Sequence, residues 1–253
     1  MLPIRDRNPS GITPYVTYTL IGLNLLIFLV EISLPDELLH QTIGALGMVP
    51  FRITAVLQGR GNLLLHLIIP AFASMFLHGG WLHVLGNMWY LFIFGDNVED
   101  KLGRSRFLGF YLACGLLAQI AQYALNPGGE VPMIGASGAI AGVLGAYLIT
   151  WPAARIITVV PIFFMITFIE LPALIVLGFW FIIQFFQGAA SLGGAAFASG
   201  GVAYWAHVGG FAAGAGLIKL LSSRTSKKNR RRPPDRGSRG WQDRRSDFSD
   251  YFR

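Results

Sequence analysis

Long apolar runs separated by short polar or glycine-rich stretches dominate this chain. A bilayer core about 30 Å thick needs about 20 helical residues to cross it. On that measure the pattern predicts six membrane-crossing helices, near residues 14–33, 76–95, 107–125, 137–152, 171–187 and 202–221, and so an all-α, polytopic bundle. Two stretches fit less simply. Residues 153–187 are too long for one span, too short for two with a turn, and are interrupted by Glu170, Leu171 and Pro172; the expectation is an interfacial or re-entrant segment at 156–169 followed by a span. Between the first two spans, LLLHLIIPAF (63–72) is too short to cross and is expected to lie in the interface.

Composition agrees. Charged residues make up 13% and hydrophobic ones 53% of the 253, with a mean hydropathy of +0.54, where a soluble domain carries about 25% charged residues. The net charge of +7 belongs mostly to the end of the chain, since residues 223–253 hold eleven Lys/Arg against four Asp. An even number of spans puts both termini on one side. That side collects eighteen Lys/Arg, the other only Arg52 and Arg60, so the positive-inside rule makes both termini cytoplasmic. The expected organisation is a cytoplasmic segment 1–13, a six-helix domain 14–221, and a disordered basic tail 222–253, rich in Arg, Gly, Ser and Pro, that meets anionic lipid. The first apolar run lacks a small-residue cleavage site and reads as a retained span. Cys114, the single cysteine, forms no internal disulfide.

Chemistry enters with IGASGAIAG (134–142), where Ser137 opens the fourth span near its outer end. A serine in a membrane helix is ordinarily a small packing residue. Here, however, the sixth span opens with AHVGGFAAGAG, placing His207 at the same depth and on the same side, and an ionisable side chain inside a span marks a functional site. Gly138 and Gly142 in one helix and Gly210 and Gly214 in the other have the four-residue spacing that lets two backbones approach closely. Proton transfer between hydroxyl and imidazole requires such an approach.

A second polar group stands in FLHGGWLHVLGN, where His83 and Asn87 share a helix face and His78 just precedes it. Two His at helical spacing can hold zinc, but Asn is a poor third ligand and no carboxylate accompanies them; the expectation is no metal and no cofactor. A patch binding interfacial water is one reading. Hydrogen-bond donation is the other: a neutral His N–H of this group, the Asn87 amide and the Ser137 backbone N–H would stabilise the oxyanion formed when a serine attacks a carbonyl. None of the thirteen acidic residues lies in the fourth or sixth span, which makes a Ser–His dyad simpler than a triad.

Together these stretches resemble the rhomboid family of intramembrane serine proteases. The family's His, four residues, His, three residues, Asn appears as His78, His83 and Asn87. Its Gly-x-Ser-Gly appears as Gly135, Ala136, Ser137 and Gly138, and its Ala-His with following glycines as Ala206, His207, Gly210 and Gly214. A Gly-x-x-x-Glu-x-x-x-Gly follows as Gly95, Glu99 and Gly103. The resemblance runs over residues 14–221 and implies a six-helix bundle with Ser137 as nucleophile, His207 as base and then acid, and His83, Asn87 and the Ser137 N–H as oxyanion hole. Its substrates would be transmembrane segments of other membrane proteins, with lipid as surroundings and no nucleic-acid partner. The glycine-rich stretch 188–201 is a candidate gate for substrate, or an ordinary loop. Some relatives carry an aromatic residue four positions after the serine, stacked on the histidine; Ala141 stands there, and Tyr204 or Trp205 are the nearby rings. The Trp-Arg pair of some members is missing from the first loop. Six spans without a seventh or an organelle presequence imply a prokaryotic plasma membrane. The competing class is a non-catalytic relative that binds membrane proteins; such relatives typically lack the serine or the histidine.

Overall fold

The computed structural model describes residues 1–162, 165–192 and 202–229. A short strand β1 (Leu2–Asp6) leads into α1 (Tyr15–Glu31), α2 (Asp36–Leu46) and α3 (Pro50–Leu57). A π-helical turn (Leu64–Ile68) runs into α4 (Ile69–Ala73), and then come α5 (Trp81–Leu102), α6 (Arg104–Leu125) and α7 (Ser137–Thr150). Strands β2 (Arg155–Ile162) and β3 (Met165–Pro172) precede α8 (Ala173–Leu192) and α9 (Tyr204–Asn229). The chain is mostly helical, with a helix of 14 to 26 residues at the place of each expected span. Length and apolarity alone single out two of the six, α6 and α8. Helices α1 and α7 are apolar but only 17 and 14 residues long, and α5 ends in a charged turn containing Asp96, Glu99 and Lys101.

Helix α7 is the centre of the bundle, buried at every residue from Gly138 to Tyr147. Its glycines make this possible. A Cβ on Gly210 or Gly214 of α9 would drive into the carbonyl oxygen of Gly138 or Gly142, and one on Gly142 would strike Cys114 of α6, so α7 packs backbone against backbone on α9. The four-residue spacing thus brings spans four and six together as expected. Gly138 itself has a different neighbour: its Cβ would lie 2.7 Å from the Ala118 Cβ of α6 and 3.9 Å from the Ala206 carbonyl. The pattern at 95–103 also finds a cause. Glu99 is buried and accepts from the Val16 N–H (3.1 Å), the Thr17 N–H (2.8 Å) and the Thr17 hydroxyl (2.8 Å). It thereby satisfies otherwise orphaned donors at the start of α1. Gly95 leaves room for the Thr17 side chain, and Gly103 (φ +79°) turns the chain from α5 into α6.

Two expectations are corrected here. The fold is not all-α: in place of an interfacial or re-entrant segment at 156–169 stands an antiparallel hairpin, β2 with β3, to which β1 adds a third strand in the order β1-β2-β3. RIITVV and ITFI are rich in β-branched residues, which fit a pleated, half-buried surface; Ile156 and Thr158 point into the protein while Ile166 and Phe168 stay exposed. Second, α5 starts at Trp81 rather than near 76, because the chain at Gly80 (φ +156°) is not helical. The N-terminal segment joins the fold through β1, which pairs with β2. The region 34–75 folds as short helices that leave Leu63, Leu64, Leu65, Ile68 and Ile69 exposed. Of the glycine-rich stretch 188–201, residues through 192 belong to α8 and 193–201 lie outside the described residues. Of the basic tail, residues through 229 extend α9 and 230–253 lie outside them.

Strand β1 is anchored by polar contacts at the end of α7 opposite Ser137. The Trp89 indole N–H donates to the Pro3 carbonyl (2.7 Å), and the Asp6 carboxyl accepts from the Tyr147 hydroxyl (2.7 Å) and the Asn97 amide (3.0 Å). Burial pushes the Asp6 carboxyl up from 3.8 to about 6, against the Tyr147 hydrogen bond that pulls it down. A carboxyl raised in this way binds more protons folded than unfolded, so its contribution to stability is fullest below about pH 4 and is lost as pH rises to about 6. Asp6→Asn keeps an acceptor without burying a charge. Its melting temperature relative to wild type is therefore expected to rise between pH 4 and 6.5; a pH-independent difference in thermal unfolding would contradict the burial of that carboxyl.

Candidate active site

The loop entering α7 is held on both sides. Met48 and Met133 exchange backbone hydrogen bonds (3.0 and 2.8 Å), and the Gly135 N–H donates to the Ser74 carbonyl (2.8 Å). Gly135 takes φ +113°, and a Cβ there would fall 2.7 Å from His83 Nε2, so only glycine lets the turn pass against that ring. Ser137 follows as the first residue of α7. His207 lies in the first turn of α9, whose start is fixed by the Ala206 N–H donating to Gln122 Oε1 (3.2 Å). Two helix starts packed through glycine thus bring Ser137 Oγ and His207 Nε2 to 2.8 Å.

The other ring nitrogen of His207 lies 2.6 Å from Gln184 Oε1 of α8. An amide oxygen only accepts, so Nδ1 carries the hydrogen, and Nε2 presents its lone pair to the serine hydroxyl. This is the tautomer a general base requires. Ring packing reinforces it. Trp180 packs tilted against His207 at 5.9 Å and 36°, and Tyr204 makes an edge contact with it at 6.5 Å and 88°. The support for His207 therefore comes chiefly from α8, with Tyr204 contributing and Trp205 packing instead against Phe185. Sequence reasoning missed Trp180 and Gln184, although the signal was present: Gln184 is an amide within the apolar run FWFIIQFF, and Trp180 precedes it by four, one helical turn.

His78, His83 and Asn87 also converge. The His78 N–H donates to the Glu31 carboxylate (3.1 Å), and its ring Nδ1 donates to the Phe76 carbonyl (3.2 Å). That leaves Nε2 to accept from the Asn87 amide at 3.0 Å. His78 is thus committed to orienting Asn87, and one amide hydrogen of Asn87 remains uncommitted by that contact. His83 stacks edge-on against His78 at 5.1 Å. His83, Asn87, Ser137 and His207 all line one cavity of about 230 Å³ between α5, α7, α8 and α9, whose other walls include Leu82, Ile140, Ala141, Trp180 and Gln184. The N-terminus of α7, with its outward N–H groups and positive dipole end, favours negative charge at Ser137. Among the described residues no group of three or more His, Cys, Asp or Glu could hold a metal ion.

The sequence has relatives. Residues 66–224 match the model of the Rhomboid domain. The presenilin-associated rhomboid-like protein A, mitochondrial, of Danio rerio is 33% identical over 135 residues, covering 51% of this chain and 35% of the relative. The human presenilin-associated rhomboid-like protein, mitochondrial, is 34% identical over 138 residues, 51% of this chain and 35% of the relative. YdcA of Bacillus subtilis (strain 168), carried as a candidate rhomboid protease, is 42% identical over 72 residues, 28% of this chain and 36% of the relative. The matches span about a third of these relatives' own length. The expectation of a prokaryotic plasma membrane with cytoplasmic termini is overturned by the vertebrate relatives, which are mitochondrial by name. The compartment rested on span number and the side of the termini on the distribution of Lys and Arg, and neither identifies which membrane holds the chain. With its Rhomboid-domain match running from the helical region before His78 to beyond His207, this chain belongs to the rhomboid family.

Proposed function

We propose that this chain is an intramembrane serine endopeptidase that cuts transmembrane segments of other membrane proteins, with Ser137 as nucleophile and His207 as base. One observation carries the reading: a serine hydroxyl 2.8 Å from an imidazole nitrogen that is free to accept its proton. Helices α1, α5, α6, α7, α8 and α9 would cross the bilayer within a protease domain of residues 14–221, leaving 222–253 as a basic tail. The 14 residues of α7 rise only about 21 Å against a hydrocarbon core of about 30 Å. Ser137 would then lie below the membrane surface, on the face remote from β1. The relatives' names make a mitochondrial membrane the first compartment to examine.

The chemistry follows from the contacts. As Ser137 Oγ bonds to the carbonyl carbon of the scissile peptide, its proton passes to His207 Nε2. The developing oxyanion is met by the Ser137 N–H, the Asn87 amide and His83. Collapse breaks the C–N bond, and the leaving amine takes the proton back from Nε2; a water molecule then repeats the sequence on the acyl-enzyme. The cavity walled by Leu82, Ile140 and Trp180 offers an apolar surface to a membrane-derived segment. The test is reconstitution in liposomes with a panel of single-span substrates, reading fragments by mass spectrometry. Fragments from wild type and none from Ser137→Ala support the reading; folded wild type that binds the panel and releases no fragment favours a non-catalytic binding protein.

A further inference from the structure

Gln184 is the sole side-chain amide in ALIVLGFWFIIQFF, residues 173–186, and it is buried. A buried polar group without a partner is costly, and the partner it has is the ring of His207. Trp180, one turn earlier on the same face of α8, packs tilted against that ring at 5.9 Å while Gln184 holds its Nδ1 edge at 2.6 Å. Ala141, in the same cavity wall, has no side chain beyond a methyl to occupy the space beside Trp180. We propose that Gln184 is a positioning residue that fixes the tautomer and orientation of His207, so that the Ser137–His207 pair works as a Ser–His–Gln chain of hydrogen bonds. The proposal rests on the protease reading above.

A carboxylate in this place both orients a histidine and stabilises its imidazolium. An amide does only the first. From the elements packed around it His207 meets Ser137 of α7, Gln184 and Trp180 of α8, and Tyr204 of its own helix; His83 of α5 lines the same cavity. Tyr204 and His83 are the other titratable groups in this set, and neither places a carboxylate beside the ring. Gln184→Glu would therefore introduce the single negative charge facing His207 among the described residues.

Three variants and two readouts test this. In ¹⁵N-histidine-labelled protein, His207 is expected as the Nδ1–H tautomer in wild type. Gln184→Met, similar in size but without the amide acceptor, is expected to lose that preference. Its kcat should fall roughly 10²-fold with KM little changed, as expected for a misplaced catalytic group. Gln184→Glu should restore most of kcat and move the acid limb of kcat/KM to higher pH by about 1 to 3 units, because an adjacent negative charge favours the imidazolium. An Nε2–H tautomer in wild type, or Gln184→Met with wild-type tautomer and kcat, would overturn the proposal. If wild type releases no more fragment than Ser137→Ala, the protease reading fails, while the tautomer signal, which needs no turnover, still decides the Gln184 contact.

Discussion

Replacing His207 with alanine is expected to slow substrate cleavage on the order of 10⁴- to 10⁶-fold, Ser137→Ala to do the same, and the double variant to be no worse than either. The lack of additivity is the informative part. Once Ser137 Oγ is gone, His207 has no proton to accept at Nε2; once His207 is gone, the hydroxyl keeps its proton at neutral pH. Neither change should unfold the bundle, because the α7–α9 seam is built from Gly138, Gly142, Gly210 and Gly214 rather than from these two side chains. Initial rates of fragment release in liposomes, with melting temperature as control, check this. A double variant much slower than both singles would mean that the two residues act independently.

The second large effect is expected at Asn87. Asn87→Ala should lower kcat on the order of 10²- to 10³-fold with KM nearly unchanged, the loss typical of removing one oxyanion donor. The geometry argues for kcat because the His78 ring holds one side of the amide at 3.0 Å before substrate arrives. The donor is in place, and its contact strengthens only as the carbonyl oxygen becomes charged. His78→Leu should reproduce part of the loss by releasing Asn87. Stopped-time cleavage assays over a range of substrate concentrations separate the two constants; a rise in KM at constant kcat would make Asn87 a residue that merely binds the substrate.

The long helices were legible because each carries an extended run of apolar residues, and the approach of Ser137 to His207 because glycine spacing announces close helix contact. The β2–β3 hairpin was not, since IITVVPI and MITFIEL are as hydrophobic as a span, and hydropathy does not tell a twisted hairpin from a re-entrant helix; the β-branched residues were the missed cue. The support of His207 was hidden for another reason. A search for a charged third member passes over an amide, and Gln184 reaches the imidazole only because α8 packs beside α9, an adjacency that spacing within one segment does not encode. His78 was read only as a supporting residue beside His83, and its commitment to Glu31, Phe76 and Asn87 could not be seen in spacing alone. The source membrane was misread because it was inferred by analogy from span number, and hydropathy does not tell which membrane a span crosses.

The central claim is that Ser137 is an activated nucleophile. The most direct measurement is covalent labelling of the folded protein, in native membrane or detergent, with a fluorophosphonate probe, followed by peptide mapping of the adduct; no substrate need be known. The account predicts a single adduct on Ser137 in wild type and none in Ser137→Ala or His207→Ala. Folded wild type that takes no label, or that labels equally well without His207, would contradict it.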